Sequence, residues 1–180
     1  MRTKVSIILI GIFLIQLIAS CCKSVKYYDF TEMTYEISNT IIEQDDELSI
    51  KLFATDVEYI ASTLNEFGFS RASAISCDDG WGGMKYPFEK IEITSDAHFN
   101  DEFSANENLS SLFLIRNFLG NGEFEFKTIE ETDLEKIQTI NVEFFLKEKP
   151  TIEDKHIFTI KMTKSNSEEI IVEIEQITWQ

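Results

Sequence analysis

Phe158, Ile160 and Met162 alternate with Thr159, Lys161 and Thr163, and the alternation resumes at Ile170, Val172 and Ile174. A period of two sends successive side chains to opposite faces, the geometry of a strand with one covered and one solvated side. Between the runs stands Lys164-Ser165-Asn166-Ser167, whose Ser and Asn side chains bond nearby backbone and favour a turn. Together they predict a long antiparallel hairpin. The same period recurs at Met33–Ile37, Leu48–Phe53, Phe88–Thr94, around Phe124 and Phe126, and from Ile140 to Leu146.

Other stretches are less regular. Asp56 to Phe69 suits a helix through Val57, Ile60, Ala61 and Leu64, but its β-branched content also permits a strand. Arg71 to Cys77 reads as a short strand, Asp78 to Gly83 as a glycine-rich loop, and Asp96 to Glu107 as a polar loop. Asn108 to Leu119 is the one helix expected: Asn108 caps it, Leu109, Leu112, Phe113, Arg116 and Leu119 keep three-to-four spacing, and Gly120 stops it. Seven or eight strands and one short helix predict a mainly β fold. The expected form is a two-sheet antiparallel sandwich, immunoglobulin-like or transthyretin-like, with a closed barrel as the alternative.

The N-terminus predicts an address. Arg2 and Lys4 precede an apolar run from Val5 to Ile18, too short for a membrane span of about 20 residues but right for a signal-peptide core. Ile18-Ala19-Ser20-Cys21 then places two small residues before a cysteine, the pattern of lipoprotein processing. Cys21 is the expected lipidation site, with Cys22 a poorer fit. An uncleaved membrane helix and an ordinary secretory signal are the alternatives. Residues 1–20 would be removed, 21–30 would be the lipidated end and tether, and 31–180 a single sandwich-like domain. A diacylglyceryl thioether with a further acyl chain such as palmitate anchors stably where one chain does not.

Loss of Arg2 and Lys4 takes the net charge from −16 to −18. Such a chain lacks the basic footprint that phosphate backbones require, so nucleic acid is not an expected partner. With 43% hydrophobic residues and 15 Phe, the chain has apolar surface for a real core. Three cysteines make no disulfide framework; Cys22 and Cys77 are left to pair or stay free.

Chemistry is sparse. Asp96, His98, Asn100 and Asp101 share a loop with oxygen ligands at alternate positions, the best metal candidates, although the glycine and distal glutamate of a calcium loop are missing. Cys77, His98 and His156 would supply three zinc ligands but lack metal-motif spacing. No nucleophile elbow, phosphate loop or dinucleotide fingerprint is present, and no cofactor is expected. Trp81, among glycines, and nearby Tyr86 are the candidate binding residues: a loop aromatic stacks on a sugar or anchors a partner.

Tyr27-Tyr28-Asp29, Cys77-Asp78-Asp79-Gly80, Lys149-Pro150-Thr151, His156-Ile157-Phe158-Thr159 and Ile177-Thr178-Trp179 follow the lipobox. With these motifs the chain resembles the small envelope lipoproteins of Bacteroidetes grouped as a family of unknown function. The resemblance implies attachment to the outer membrane through the N-terminal lipid, and it carries over no activity. Cys22-Lys23-Ser24-Val25-Lys26 lacks the acidic run found on many surface-displayed members, so periplasmic and surface faces both stay open. The expected function is a non-enzymatic binding or structural module for a glycan or envelope protein. A metal-dependent hydrolase or calcium-binding module on the acidic loops is the alternative.

Overall fold

The computed structural model describes residues 26–43, 46–61, 81–118, 124–134, 137 and 140–180. These fall into two compact units. Lys26, Tyr27, residues 59–61 and 81–82 belong to the first, Tyr28–Glu58 and Gly83–Gln180 to the second. The alternating C-terminal runs form β12 (Phe158–Lys164) and β13 (Glu169–Glu173), antiparallel from Thr159 opposite Glu173 to Thr163 opposite Glu169. On the other side of β12 lies β7 (Phe88–Ser95), also antiparallel, completing a three-stranded sheet.

The remaining strands are β1 (Lys26–Phe30), β2 (Met33–Ile37), β3 (Ile41–Ile42), β4 (Ser49–Ala54), β5 (Val57–Ala61) and β6 (Trp81–Met84) in the first half. After β7 come β8 (Phe113–Phe118), β9 (Phe124–Thr128), β10 (Asn141–Leu146), β11 (Lys155–His156) and, last, β14 (Ile177–Trp179). They build three further sheets, ordered β5–β1–β6, β2–β4–β10–β8–β9 and β11–β14–β3.

The architecture is mainly β, in four separate sheets, and it corrects the expected sandwich. None of the four closes into a sandwich or barrel. Alternation tells which side chains face inward but not which strand pairs with which. β14 runs parallel to β3 through Thr178 opposite Ile41, a pairing no all-antiparallel sandwich contains. The second unit is held by one core drawn from all four sheets, including Phe30, Ile42, Leu52, Phe88, Phe144 and Phe158, each almost without solvent contact. Burying one such side chain contributes about 1.5–3 kcal/mol.

The expected helix is also corrected. In place of that helix the structure has a 3-10 turn at Ser110–Leu112 followed by a strand. Asn108 Oδ1 accepts from the Ser110 amide at 3.0 Å just before it, and the Leu112 amide closes the turn onto the Leu109 carbonyl at 2.9 Å. From Phe113 the burial period changes to two: Phe113 and Ile115 are buried, Leu114 half-buried and Arg116 exposed. The residues at helical spacing thus end at Phe113, and strand pairing with Phe144 and Phe126 takes the rest. Tertiary pairing has overridden a weak local preference.

Two smaller differences concern the N-terminal half. β1 starts at Lys26, inside the stretch expected as tether, and Tyr28 and Phe30 lie in the core. The glycine-rich loop is partly a strand, β6, where Gly83 takes φ 85, a value a side chain would oppose. Arg71 to Cys77 and the end of the ambiguous Asp56–Phe69 stretch lie outside the described residues.

Candidate functional site

The five-stranded sheet has two unlike faces. Inward, Ile50, Leu52, Val142, Phe144, Phe113 and Ile115 are all buried. The opposite phase of the same strands carries Lys51, Phe53, Glu143, Phe145, Leu114, Arg116, Phe124 and Phe126. Phe124 is 48% and Phe126 51% exposed. Register explains the grouping, since Arg116 stands opposite Phe126, and Phe145 opposite both Leu114 and Ser49.

Rings and cations interleave on this outer face. Arg116 lies 3.8 Å above the Phe124 ring and donates to Glu143 Oε2 at 2.9 Å. Lys51 Nζ sits 4.7 Å over Phe53, and Phe126 meets Phe145 edge to face at 5.2 Å. Ser49 Oγ donates to the other Glu143 oxygen at 3.1 Å. Each cation–ring contact contributes about 0.5–1 kcal/mol when exposed and more when a partner excludes water. Aromatic and Arg side chains held in a fixed array are the residue types that dominate interface energetics.

At the end of β10 the face runs into a pocket of about 460 Å³. Its apolar wall is Leu48, Leu114, Phe126, Phe145, Leu146 and Trp179, and its rim carries Asp46, Glu47, Lys147, Glu148 and Lys149. The size suits a bulky apolar group, with charges of both signs to orient what surrounds it.

Two buried polar clusters lie elsewhere. His156 Nε2 bonds the Glu153 carbonyl at 2.8 Å, which can only accept, so Nε2 carries the proton and Nδ1 accepts from Ser95 Oγ at 2.7 Å. Ser95 Oγ accepts in turn from the Ala97 amide at 3.3 Å. A serine on a histidine is the nucleophile–base arrangement. Here, however, Ser95 is 2% exposed, and the ring is enclosed by Phe99, Phe158 and Trp179, so no substrate reaches the hydroxyl. The second cluster is Lys164, fully buried. Its ammonium meets Asp29 Oδ1 at 2.9 Å, Glu168 Oε2 at 3.0 Å and the Phe30 carbonyl, and lies over the Phe30 ring. It fastens β1 to the end of the β12–β13 hairpin.

Of the residues singled out from sequence, only some are described. Cys21, Cys22, Cys77, Asp78 and Asp79 lie outside the described residues, as does the side chain of Trp81. Tyr86 is half-buried, its ring under the Lys85 ammonium at 4.8 Å. Asp96 Oδ1 accepts from the Ile157 amide, and the His98 amide donates to Glu153 Oε1. Asn100 Oδ1 accepts from the Glu102 and Phe103 amides, both at 2.9 Å, while Asp101 is exposed. The Asn100 oxygen is thus turned to the loop's own backbone, and an Asp96 oxygen to the backbone before β12. Among the described residues no three His, Cys, Asp or Glu side chains converge as a metal site, and no helix is long and apolar enough to cross a membrane.

The outer face was the feature sequence reasoning missed. One signal pointed to it. Phe145 falls out of phase with Val142, Phe144 and Leu146, so a strand there must show a large ring on its polar side. No protein-family model matches the chain, and no curated protein matches it.

Proposed function

We propose that this chain is a lipid-anchored protein of the cell envelope, attached through Cys21, and a non-enzymatic binding module whose outer sheet face takes a protein partner. The observation that carries the binding reading is the array of Phe124, Phe126 and Phe145 with Arg116, running into the pocket beside β10. Phenylalanine has no polar handle for sugar hydroxyls, and a pocket rimmed by charges of both signs suits the mixed surface of a protein. The anchor rests on the lipobox and on the resemblance to small Bacteroidetes lipoproteins.

The test is affinity capture from native envelopes with the anchored protein, beside a Phe126→Ala/Phe145→Ala variant and a Cys21→Ala variant fed a palmitate analogue. The expected result is a defined protein retained by the wild type and lost with the double substitution, and label incorporated only when Cys21 is present. Capture unaffected by the double substitution would remove the face from the proposal; label on Cys21→Ala would remove the anchor.

A further inference from the structure

We propose that Lys164 and Asp29 close an intramolecular isopeptide bond, with Glu168 carrying the protons. Lys164, Asp29, Phe30 and Glu168 all belong to the second unit. The Lys164 side chain has no solvent exposure, and its Nζ lies 2.9 Å from Asp29 Oδ1 and 3.0 Å from Glu168 Oε2. Charge balance needs one carboxylate there, and the site holds two. A buried ion pair contributes little net stability, because desolvation offsets the attraction, so pairing alone does not account for this burial. An amine nucleophile, an acyl carbon and a proton acceptor in mutual contact are the parts that amide formation needs.

The surroundings hold these parts in register. The Phe30 amide donates to Asp29 Oδ1 at 2.9 Å, so a donor is already aimed at the oxygen on which charge grows during attack. The Phe30 ring lies 5.1 Å from Nζ, and Phe88 meets that ring edge on at 6.1 Å, an apolar wall on one side of the amine. The Lys164 amide donates to the Glu168 carbonyl and its carbonyl accepts from the Ser167 amide, both at 2.9 Å, which fixes the turn carrying both side chains. Groups held in this way react as though at effective concentrations of about 10⁵–10⁸ M, which offsets the low reactivity of a carboxyl group.

The step balances without a co-reactant. Nζ gives up two of its three protons, each by way of Glu168 Oε2, to Asp29 Oδ2. The first turns that oxygen into a hydroxyl. The nitrogen lone pair then attacks Cγ, forming the C–N bond, while Oδ1 takes the charge beside the Phe30 amide. The second proton lets Oδ2 leave as water as the Cγ–Oδ2 bond breaks. Glu168 ends as the carboxylate it was, and the charges of Lys164 and Asp29 are both gone. The product stays satisfied: its N–H has the Phe30 carbonyl as acceptor, and its oxygen keeps the Phe30 amide.

Loss of stability on removing Lys164 follows from the ion pair alone, so mass is the readout. The full chain is unfolded and digested with trypsin, which does not cut after an acylated lysine. The expected product is one branched peptide, residues 27–51 joined to 162–180, lighter than their sum by one water. Asp29→Ala should lack it. Glu168→Gln keeps the shape and loses the proton acceptor; after a pulse of isotope label it should close at least about a hundred-fold more slowly. Circular dichroism checks that both variants fold. A wild type that releases 27–51, 162–164 and 165–180 as separate peptides would overturn the proposal, however the variants fold. So would the branched peptide in Asp29→Ala, or closure of Glu168→Gln at the wild-type rate. Closure is independent of the envelope-partner reading: a chain that captures nothing still loses its water.

Discussion

Lys164 and Arg116 stand in chemically parallel settings. Each is a cation over a phenylalanine ring, Phe30 or Phe124, and each is paired with carboxylate, Asp29 and Glu168 or Glu143. They differ in water. Lys164 has none, whereas the Arg116 side chain is 35% exposed. Removing the cation in the first setting empties a fully buried position between Asp29, 17% exposed, and Glu168, 33% exposed. In the second it removes a guanidinium that solvent already reaches. The same three groups therefore hold the fold together in one place and offer a surface in the other.

The sharpest way to break this comparison is Lys164→Ala. It should cost about 3–5 kcal/mol by urea denaturation, as loss of one partner of a buried pair does. A cost below about 1 kcal/mol would mean that the cluster is wet and the contrast false. Next is His156→Phe, which fills the space but leaves the Ser95 hydroxyl and the Glu153 carbonyl without their partner, at about 2 kcal/mol by the same measurement. Arg116→Ala should change stability by less than about 1 kcal/mol, while removing most capture of a partner from envelopes. The smallest effect concerns Lys161. Its hydrogen bond to Glu169, at 2.7 Å, holds the ammonium above its ordinary 10.5. A raised lysine stabilises the fold fully below pH 10.5 and loses that contribution as pH rises through the folded value. In a side-chain NMR titration, Glu169→Gln should move the Lys161 midpoint down towards 10.5.

Strands were legible wherever alternation was long. Met33–Ile37, Leu48–Phe53 and the Phe158–Ile174 hairpin need no partner to reveal their period. Pairing was not legible. Nothing local to Ile41-Ile42 says that Thr178 and Trp179 will lie alongside it in parallel. The helix expected at Asn108–Leu119 failed because Leu109, Leu112 and Phe113 fit one turn of a helix and the start of a strand equally well. Several residues of the motifs that carry the resemblance have structural roles: Tyr28 and Phe158 lie in the core, Asp29 grips Lys164, and Trp179 closes on His156. The outer face escaped notice because its rings are spread over three strands, and only register brings Phe126 beside Phe145.

The parallel contact between β14 and β3 bears on the order of events as the chain is made. The Thr178 amide donates to the Thr40 carbonyl at 2.8 Å, and that of Gln180 to Ile42 at 3.0 Å, so the final strand closes onto one of the earliest. Pairings this distant along the chain form late, after their long loop has been closed. Ile42 and Trp179 therefore wait for each other. β3 gains its parallel neighbour only once the chain has been made through Thr178 and Trp179. A chain cut before Ile177 would leave Ile42, which has no solvent contact in the folded protein, without its parallel neighbour.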